Sequence, residues 1–148
     1  MNHQELEIIR SNWEAIRPNV RFAVRLFYTK ALLIDPSLAP LFRRNAEEQT
    51  QQVLRAVGMT IHGLSQPRIL QPLLRMLGHQ AAVKRMQASQ FESIGQAMLW
   101  ALGIVLGTLC DDVSRRAWLN LYRMVSGTLL DAAGDSRVKV VSELRAAA

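Results

Sequence analysis

Few residues of this chain have the types and spacing that chemistry requires. The single cysteine, Cys110, excludes an intramolecular disulfide, and the three histidines are too scattered to predict a Cys/His metal cluster. Cys110 precedes Asp111 and Asp112, whose carboxylates disfavour a thiolate, so we do not expect a reactive cysteine. The two aspartates are typical of a helix cap rather than of an acid/base pair.

Any functional side chains must therefore be positioned by helices. No segment alternates apolar and polar residues with the period of a strand, whereas apolar residues recur every three or four positions over most of the chain. The pattern predicts an all-α fold of six to seven unequal helices in one domain, residues 1–148. We expect its core to span about 4–134 and a separate tail helix to span 137–148.

Punctuation residues set the expected helix boundaries. Asn45 with Glu48 predicts a cap-like pair, Ser89 with Glu92 predicts a capping box, and Gly134 predicts a stop. A short turn is expected between the second and third helices, from Asp35-Pro36 to Phe42. The expected helices span, in chain order, about 4–16, 19–34, 45–64, 70–83, 89–109, 111–134 and 137–148.

Two apolar segments are expected to face inward. In the second helix, Phe22, Leu26 and Leu33 fall on one side and predict its packed face. Ser93 to Cys110 is eighteen residues without a charge, which approaches the length that spans a membrane. Its glycines and polar residues, among amphipathic helices, favour a fully buried core helix and no membrane partner.

Charge and the N-terminus give weaker indications. The net charge is +6, but the arginines are dispersed and no Lys/Arg run exceeds two, so no nucleic-acid partner is expected. The first residues are polar and lack the apolar core of a signal peptide. With one cysteine, this composition favours the cytoplasm.

Several motifs occur in an order that resembles bacterial single-domain globins and the globin part of flavohaemoglobins, the branch that includes the Vitreoscilla globin. Leu26-Phe27-Tyr28, Pro36 and Leu41-Phe42 resemble the second helix and the corner of that family. Gln49, followed by Val53-Leu54 and Val57-Gly58, resembles its distal helix. Further matches in the last two core helices are Phe91, Ile94-Gly95, Leu99-Trp100, Leu106-Gly107 and Ala117-Trp118 with Tyr122.

The resemblance implies a globin fold, haem b as the cofactor and a set of haem-pocket residues. Phe42 would stack on the haem, and Tyr28 and Gln49 would donate hydrogen bonds to a bound gas such as O₂ in a dry pocket. Val53 would pack beside that ligand. Leu77 and Phe91 complete the implied set.

The expected iron ligand is absent from this pattern. The family places a proximal histidine ten residues before the aromatic that matches Phe91, and that position holds Ala81. The family's cationic pair on the distal helix is replaced by Gln51-Gln52, and the arginine before the proximal histidine by Gln80. A methyl group cannot donate electrons to iron.

Two other residues are alternative iron ligands. His79 lies two positions before Ala81, and two residues turn a helix by roughly 200°, so it would face the pocket only if the helix is distorted there. A surface role for His79 is equally compatible with the sequence. Tyr28 could bind ferric iron as a phenolate, since tyrosine is a haem ligand in some proteins.

Three functions remain open from the sequence. One is a haem-binding globin with atypical axial ligation and a small gaseous ligand. Another is a haem-free interaction or sensory module, with a homodimer through the last two core helices. The third, an apolar-ligand carrier that uses the emptied pocket, has no sequence feature beyond the apolar lining. Catalysis is not expected, because dioxygenation or peroxidase-like chemistry would need an external reductant.

Overall fold

Polar side chains cap the helices at the positions where they begin. In the computed structural model the side chain of Asn45 accepts the Glu48 N–H at 2.9 Å, and Asp111 accepts the Ser114 N–H at 2.8 Å. Each bond satisfies a backbone donor that the first turn of a helix leaves free. Both caps confirm the sequence prediction.

The structure describes residues 1–42, 44–80, 83 and 85–147, with side chains to residue 134. This part of the chain forms six α-helices and no strand, as predicted. The helices are α1 (His3–Ile16), α2 (Val20–Ile34), α3 (Ala46–Gly63), α4 (Pro67–Gly78), α5 (Ala88–Leu106) and α6 (Asp112–Ala147). Short 3-10 turns lie at Arg17–Asn19, Pro36–Leu41 and Gly107–Leu109.

Several predicted boundaries were wrong. Helix α4 begins at Pro67 rather than Leu70 and ends at Gly78 rather than near Val83. Helix α5 begins at Ala88, where Gln87 and Gln90 form the capping box expected two residues later, and ends at Leu106 rather than Leu109. Helix α6 continues to Ala147 through the predicted stop at Gly134. Gly134 does not have the positive φ that ends a helix; among the described glycines, that conformation is found at Gly107. A glycine ends a helix only when its backbone leaves the helical region.

Two apolar clusters hold the helices together. The larger surrounds Trp118 and joins α1, α3, α5 and α6 through Ile9, Ile61, Leu106 and Leu121. The smaller joins α2 and α5 through Ala31 and Ala97, which have no exposed surface. Small side chains let these two helices approach closely.

The packed face of α2 differs from the predicted one. Phe22 and Leu33 are 52% and 74% exposed, and Val24 and Ala31 are buried instead. The prediction was wrong because it gave weight to large apolar residues, whereas the close contact of α2 with α5 requires a small residue such as Ala31.

Helix α5 is only partly buried, which also departs from expectation. Trp100 and Ile104 are exposed, and Lys30 of α2 lies 4.9 Å from the Trp100 ring centroid. By length and apolar composition alone, Ala88–Leu109 is the one described segment that could cross a membrane, with 22% of its most apolar window buried. Core helices of soluble proteins meet the same criterion.

Candidate functional site

A crevice of about 600 Å³ lies between α3 and α4, with α6 behind it. Its walls are mainly apolar: Ala56, Met59, Thr60, Leu70, Leu73, Leu74, Leu77, Val125 and Leu129. Its remaining lining residues are charged or amide side chains: Arg44, Glu47, Glu48, Gln51, Gln52 and Arg55. An apolar interior beside charged groups suits a flat, apolar ligand that carries ionised substituents at one end.

A second cavity, of about 330 Å³, lies on the other side of α3, among α1, α2, α3, α5 and α6. It is called the apolar cavity below, because its lining contains no charged residue in the described part of the chain. Val53 and Val57 line it, whereas Arg55 and Met59 line the crevice. Residues two positions apart lie on nearly opposite sides of a helix, so α3 lies between the two spaces. Ala56, Thr60 and Val125 line both of them.

Close helix approach at Gly78 holds the crevice wall in place. A Cβ on Gly78 would lie 2.7 Å from the Ala132 Cβ and 2.8 Å from the Leu129 carbonyl oxygen, both on α6. Only glycine allows α4 to pack this closely against α6 without movement of one helix. The leucines of α4 that line the crevice are therefore held close to α6.

The predicted trio Tyr28, Phe42 and Gln49 is brought together at the corner between α2 and α3. The Tyr28 and Phe42 ring centroids are 4.7 Å apart with an edge-on arrangement, and Phe27 lies 5.0 Å from Tyr28. The Gln49 side-chain amide donates to the Phe42 carbonyl oxygen at 3.3 Å. Tyr28 and Gln49 are half-buried, and neither lines either space.

Burial raises the pKa of Tyr28 above its ordinary value, and the nearby positive charge of Arg44 offsets part of that rise. The phenol is therefore neutral at physiological pH and can donate a hydrogen bond. The same burial disfavours the phenolate that iron ligation by Tyr28 would need.

The other predicted site residues are divided among separate places. Val53 lines the apolar cavity and Leu77 the crevice. Phe91 is buried and lines neither, and its carbonyl oxygen accepts the hydroxyl of Tyr122.

The proposed iron-ligand positions lie at the end of α4. His79 is exposed, is the C-cap residue of α4 and has its own interaction partner. It lies two residues beyond Leu77, which lines the crevice. Ala81, the position expected to hold a proximal histidine, lies outside the described residues.

Arg44 and Arg55 were missed by the sequence reasoning. The family pattern directed attention to Gln51-Gln52, where a cation is missing. Arg55 lies three residues after Gln52 and therefore on the same side of α3. That i, i+3 spacing was the signal that could have identified it. Arg44 comes from the corner and had no comparable pattern.

The chain is similar to globins at low sequence identity. Neuroglobin of Chaenocephalus aceratus is 23% identical over 139 residues, covering 84% of this chain and 87% of the relative. Neuroglobin of Tetraodon nigroviridis is 24% identical over 144 residues, covering 87% and 90%. A flavohemoprotein of Bordetella parapertussis is 22% identical over 126 residues, covering 83% of this chain but 31% of that longer protein.

Comparison of the fold with solved structures also finds a heme protein. A hexacoordinated heme protein from an anhydrobiotic tardigrade has a TM-score of 0.72 at 16% identity, covering 90% of this chain and 95% of the other. No protein-family profile matches the chain. The fold is that of the globins, as the sequence motifs predicted, and the sequence similarity extends over most of the chain.

Proposed function

We propose that this globin-like chain binds haem b in the crevice between α3 and α4, with atypical axial ligation, and uses the iron to hold a small gaseous ligand. The crevice carries the proposal. Apolar residues of α3, α4 and α6 would contact the macrocycle, and Arg44 and Arg55 would bind its two carboxylates. Similarity to neuroglobins and to a heme protein of the same fold supports this assignment.

The residues present fit the macrocycle better than they fit the iron. In the described lining, Met59 is the one residue with a side-chain type that ligates haem iron in other proteins. His79 and Tyr28 remain the other proposed ligands, from the end of α4 and from the corner. The bound iron would supply the site at which a gas molecule coordinates.

The corner residues would orient that gas if they turned toward the crevice, which neither Tyr28 nor Gln49 lines in this structure. Tyr28 keeps its proton and could donate to a ligand that gains negative charge on binding. Gln49 would first have to release the Phe42 carbonyl, which its amide now contacts. Tyr28 is therefore the stronger donor in this proposal.

Haemin titration followed by absorption spectroscopy tests the proposal. We expect a Soret band that saturates at one haemin per chain. The residue that ligates the iron is identified by three variants, His79→Ala, Tyr28→Phe and Met59→Leu. The absorption spectrum of the haemin complex should change in the variant that lacks this residue. A wild-type protein that gives no saturable Soret band would contradict the proposal.

The role of the two arginines has a matched control. Arg44→Gln and Arg55→Gln should each weaken haemin binding by roughly tenfold or more, because a hydrogen bond to a charged group contributes about 1.5–3 kcal/mol. The control is Arg10, which lies on α1 in an ion pair with Glu7. Arg10→Gln should leave the affinity for haemin unchanged. Equal affinities for all four proteins would contradict carboxylate binding by these arginines.

A haem-free interaction or sensory module is the second candidate. It is favoured by the absence of histidine from the described crevice lining and by the bond that already occupies Gln49. Such a module would form a homodimer through α5 and α6, whose exposed Trp100, Ile104 and Val113 could pair. Sedimentation would show a dimer that Ile104→Glu dissociates, while Ile69→Glu on α4 leaves it intact.

Location and partners complete the proposal. The protein would act in the cytoplasm, which fits its single cysteine, and would have neither a nucleic-acid nor a membrane partner. Fractionation of cells that express the full chain tests this: recovery with the membranes would contradict it.

A further inference from the structure

The apolar cavity has a lining that is suited to one class of ligand. Of its described lining residues, Ala56 is exposed and all others are buried or half-buried. The walls come from five helices, and side chains such as Val24, Met98 and Leu121 dominate them. It is a partly open pocket, about as open to solvent as the crevice.

Most polar groups in the lining are already engaged or turned away. The Thr60 hydroxyl donates to the Ala56 carbonyl at 2.7 Å, and the Tyr122 hydroxyl donates to the Phe91 carbonyl. The indole N–H of Trp118 has no partner, but it is fully buried among protein atoms and so does not face the space. Among the described lining side chains, the indole of Trp13 is the one donor that is neither bonded nor fully buried, and the surface of the lining is almost wholly apolar.

This lining disfavours ordered water and ions as occupants. A buried water needs two to four polar partners, and an ion needs more compensation still. An empty apolar space is also unfavourable, because its lining loses dispersion contacts. An uncharged apolar molecule would restore those contacts without any polar group to satisfy.

The size of the cavity limits which apolar molecules it could bind. An engineered apolar cavity of about 150 Å³ binds benzene. The present one, at about 330 Å³, is roughly twice as large and has room for a two-ring hydrocarbon.

We infer that the apolar cavity is a second binding site, which takes an uncharged hydrocarbon of about two fused rings and is separate from the crevice. Haem does not suit this space, because no described lining residue can pair with its carboxylates. The site exists whether or not the crevice binds haem.

Paired probes test the inference on the full-length protein. Naphthalene, followed by its fluorescence, should bind saturably at one molecule per chain and raise the midpoint of thermal unfolding. 2-Naphthoate has the same rings and one carboxylate, so it should bind at least 100-fold more weakly. No saturable naphthalene binding, or equal affinity for both probes, would overturn the inference.

Filling variants locate the bound probe. Ala101→Leu on α5 and Ala23→Leu on α2 place extra methyl groups in the cavity from opposite sides, and each should weaken naphthalene binding at least tenfold. Leu73→Trp narrows the crevice instead and should leave the affinity within twofold of wild type. Circular dichroism establishes that each variant is folded. Two cavity-filling variants are used so that the test remains possible if one of them does not fold. Loss of binding in Leu73→Trp, with normal binding in a folded filling variant, would overturn the inference.

Discussion

The two sides of α3 face spaces of different chemistry. On the α4 side, Arg55 and Gln52 lie beside a crevice with leucine walls. On the other side, Val53 and Val57 line a cavity with no described charge. Ala56 and Thr60 of α3 and Val125 of α6 border both spaces. One amphipathic helix thus separates a site suited to a charged amphiphile from a site suited to a hydrocarbon.

Each space depends on one close approach to α6. Gly78 lets α4 pack against α6 beside the crevice, and Gly95 lets α5 pack against the Tyr122 ring beside the apolar cavity. The neighbours differ, since Gly78 meets backbone and an alanine, whereas Gly95 meets an aromatic side chain. Backbone yields less readily than a side chain, so the crevice side should be the less tolerant of the two.

The largest effect is expected for Gly78→Val. The new side chain would overlap Ala132 and the Leu129 carbonyl, so we expect a loss of about 2–3 kcal/mol in the free energy of unfolding, measured by urea denaturation. Haemin binding should weaken with it. Gly127→Ala is the control: nothing lies within 4 Å of its Cβ, and it should stabilise α6 by up to about 1 kcal/mol. Equal stability of both variants would contradict the tight α4–α6 contact.

A smaller loss is expected for Gly95→Ala, whose Cβ would lie 2.6 Å from Cε1 of Tyr122. We expect about 1–2 kcal/mol, because overpacking is partly offset by the higher helix propensity of alanine. In a Tyr122→Leu background the cost should largely disappear. A double-mutant cycle by urea denaturation measures this coupling, and full additivity would show that the ring is not the obstacle.

Tyr122→Phe should cost about 1 kcal/mol, since the Phe91 carbonyl loses its donor. It should also change the response to alkali. Burial raises the pKa of Tyr122 above its ordinary value of 10.0, so its contribution is fully present below pH 10 and is lost as the pH rises through the folded pKa. Urea denaturation between pH 8 and about 11 should therefore show a shallower decline for the variant than for wild type. Parallel declines would contradict this assignment.

The smallest effect is expected for Arg21→Ala. Its guanidinium lies 3.3 Å from Glu47 and links α2 to α3, but the side chains are 75% and 56% exposed. Exposed ion pairs contribute about 0–1 kcal/mol, so we expect a change below about 0.5 kcal/mol in urea, further reduced at high salt. A loss above 1 kcal/mol in the free energy of unfolding would contradict the small contribution expected of an exposed ion pair.

Local signals in the sequence predicted the fold well. Asn45 and Asp111 cap helices through bonds to their own neighbours, so their roles can be read over three or four residues. The predicted stop at Gly134 was wrong because glycine permits a helix end without requiring one. The face of α2 was also wrong, since contact with α5 depends on Ala31 and Ala97, which are far apart in sequence.

The candidate site was less accessible to sequence reasoning. Tyr28, Phe42 and Gln49 could be grouped because a family pattern relates them, and they do meet at the corner. Arg55 shares the side of α3 that carries Gln52, and that spacing could have identified it. Arg44 borders the crevice through the packing of the corner, which no local spacing encodes. The apolar cavity is a space left among five helices, so it has no sequence signature at all.

Simultaneous binding tests most directly whether α3 separates two sites. The protein is saturated with haemin, freed of excess, and titrated with naphthalene by calorimetry, beside an untreated sample. We expect one haemin and one naphthalene per chain, with naphthalene affinities in the two samples within twofold of each other. Competition between the two ligands, or a protein that retains no haemin, would contradict the account.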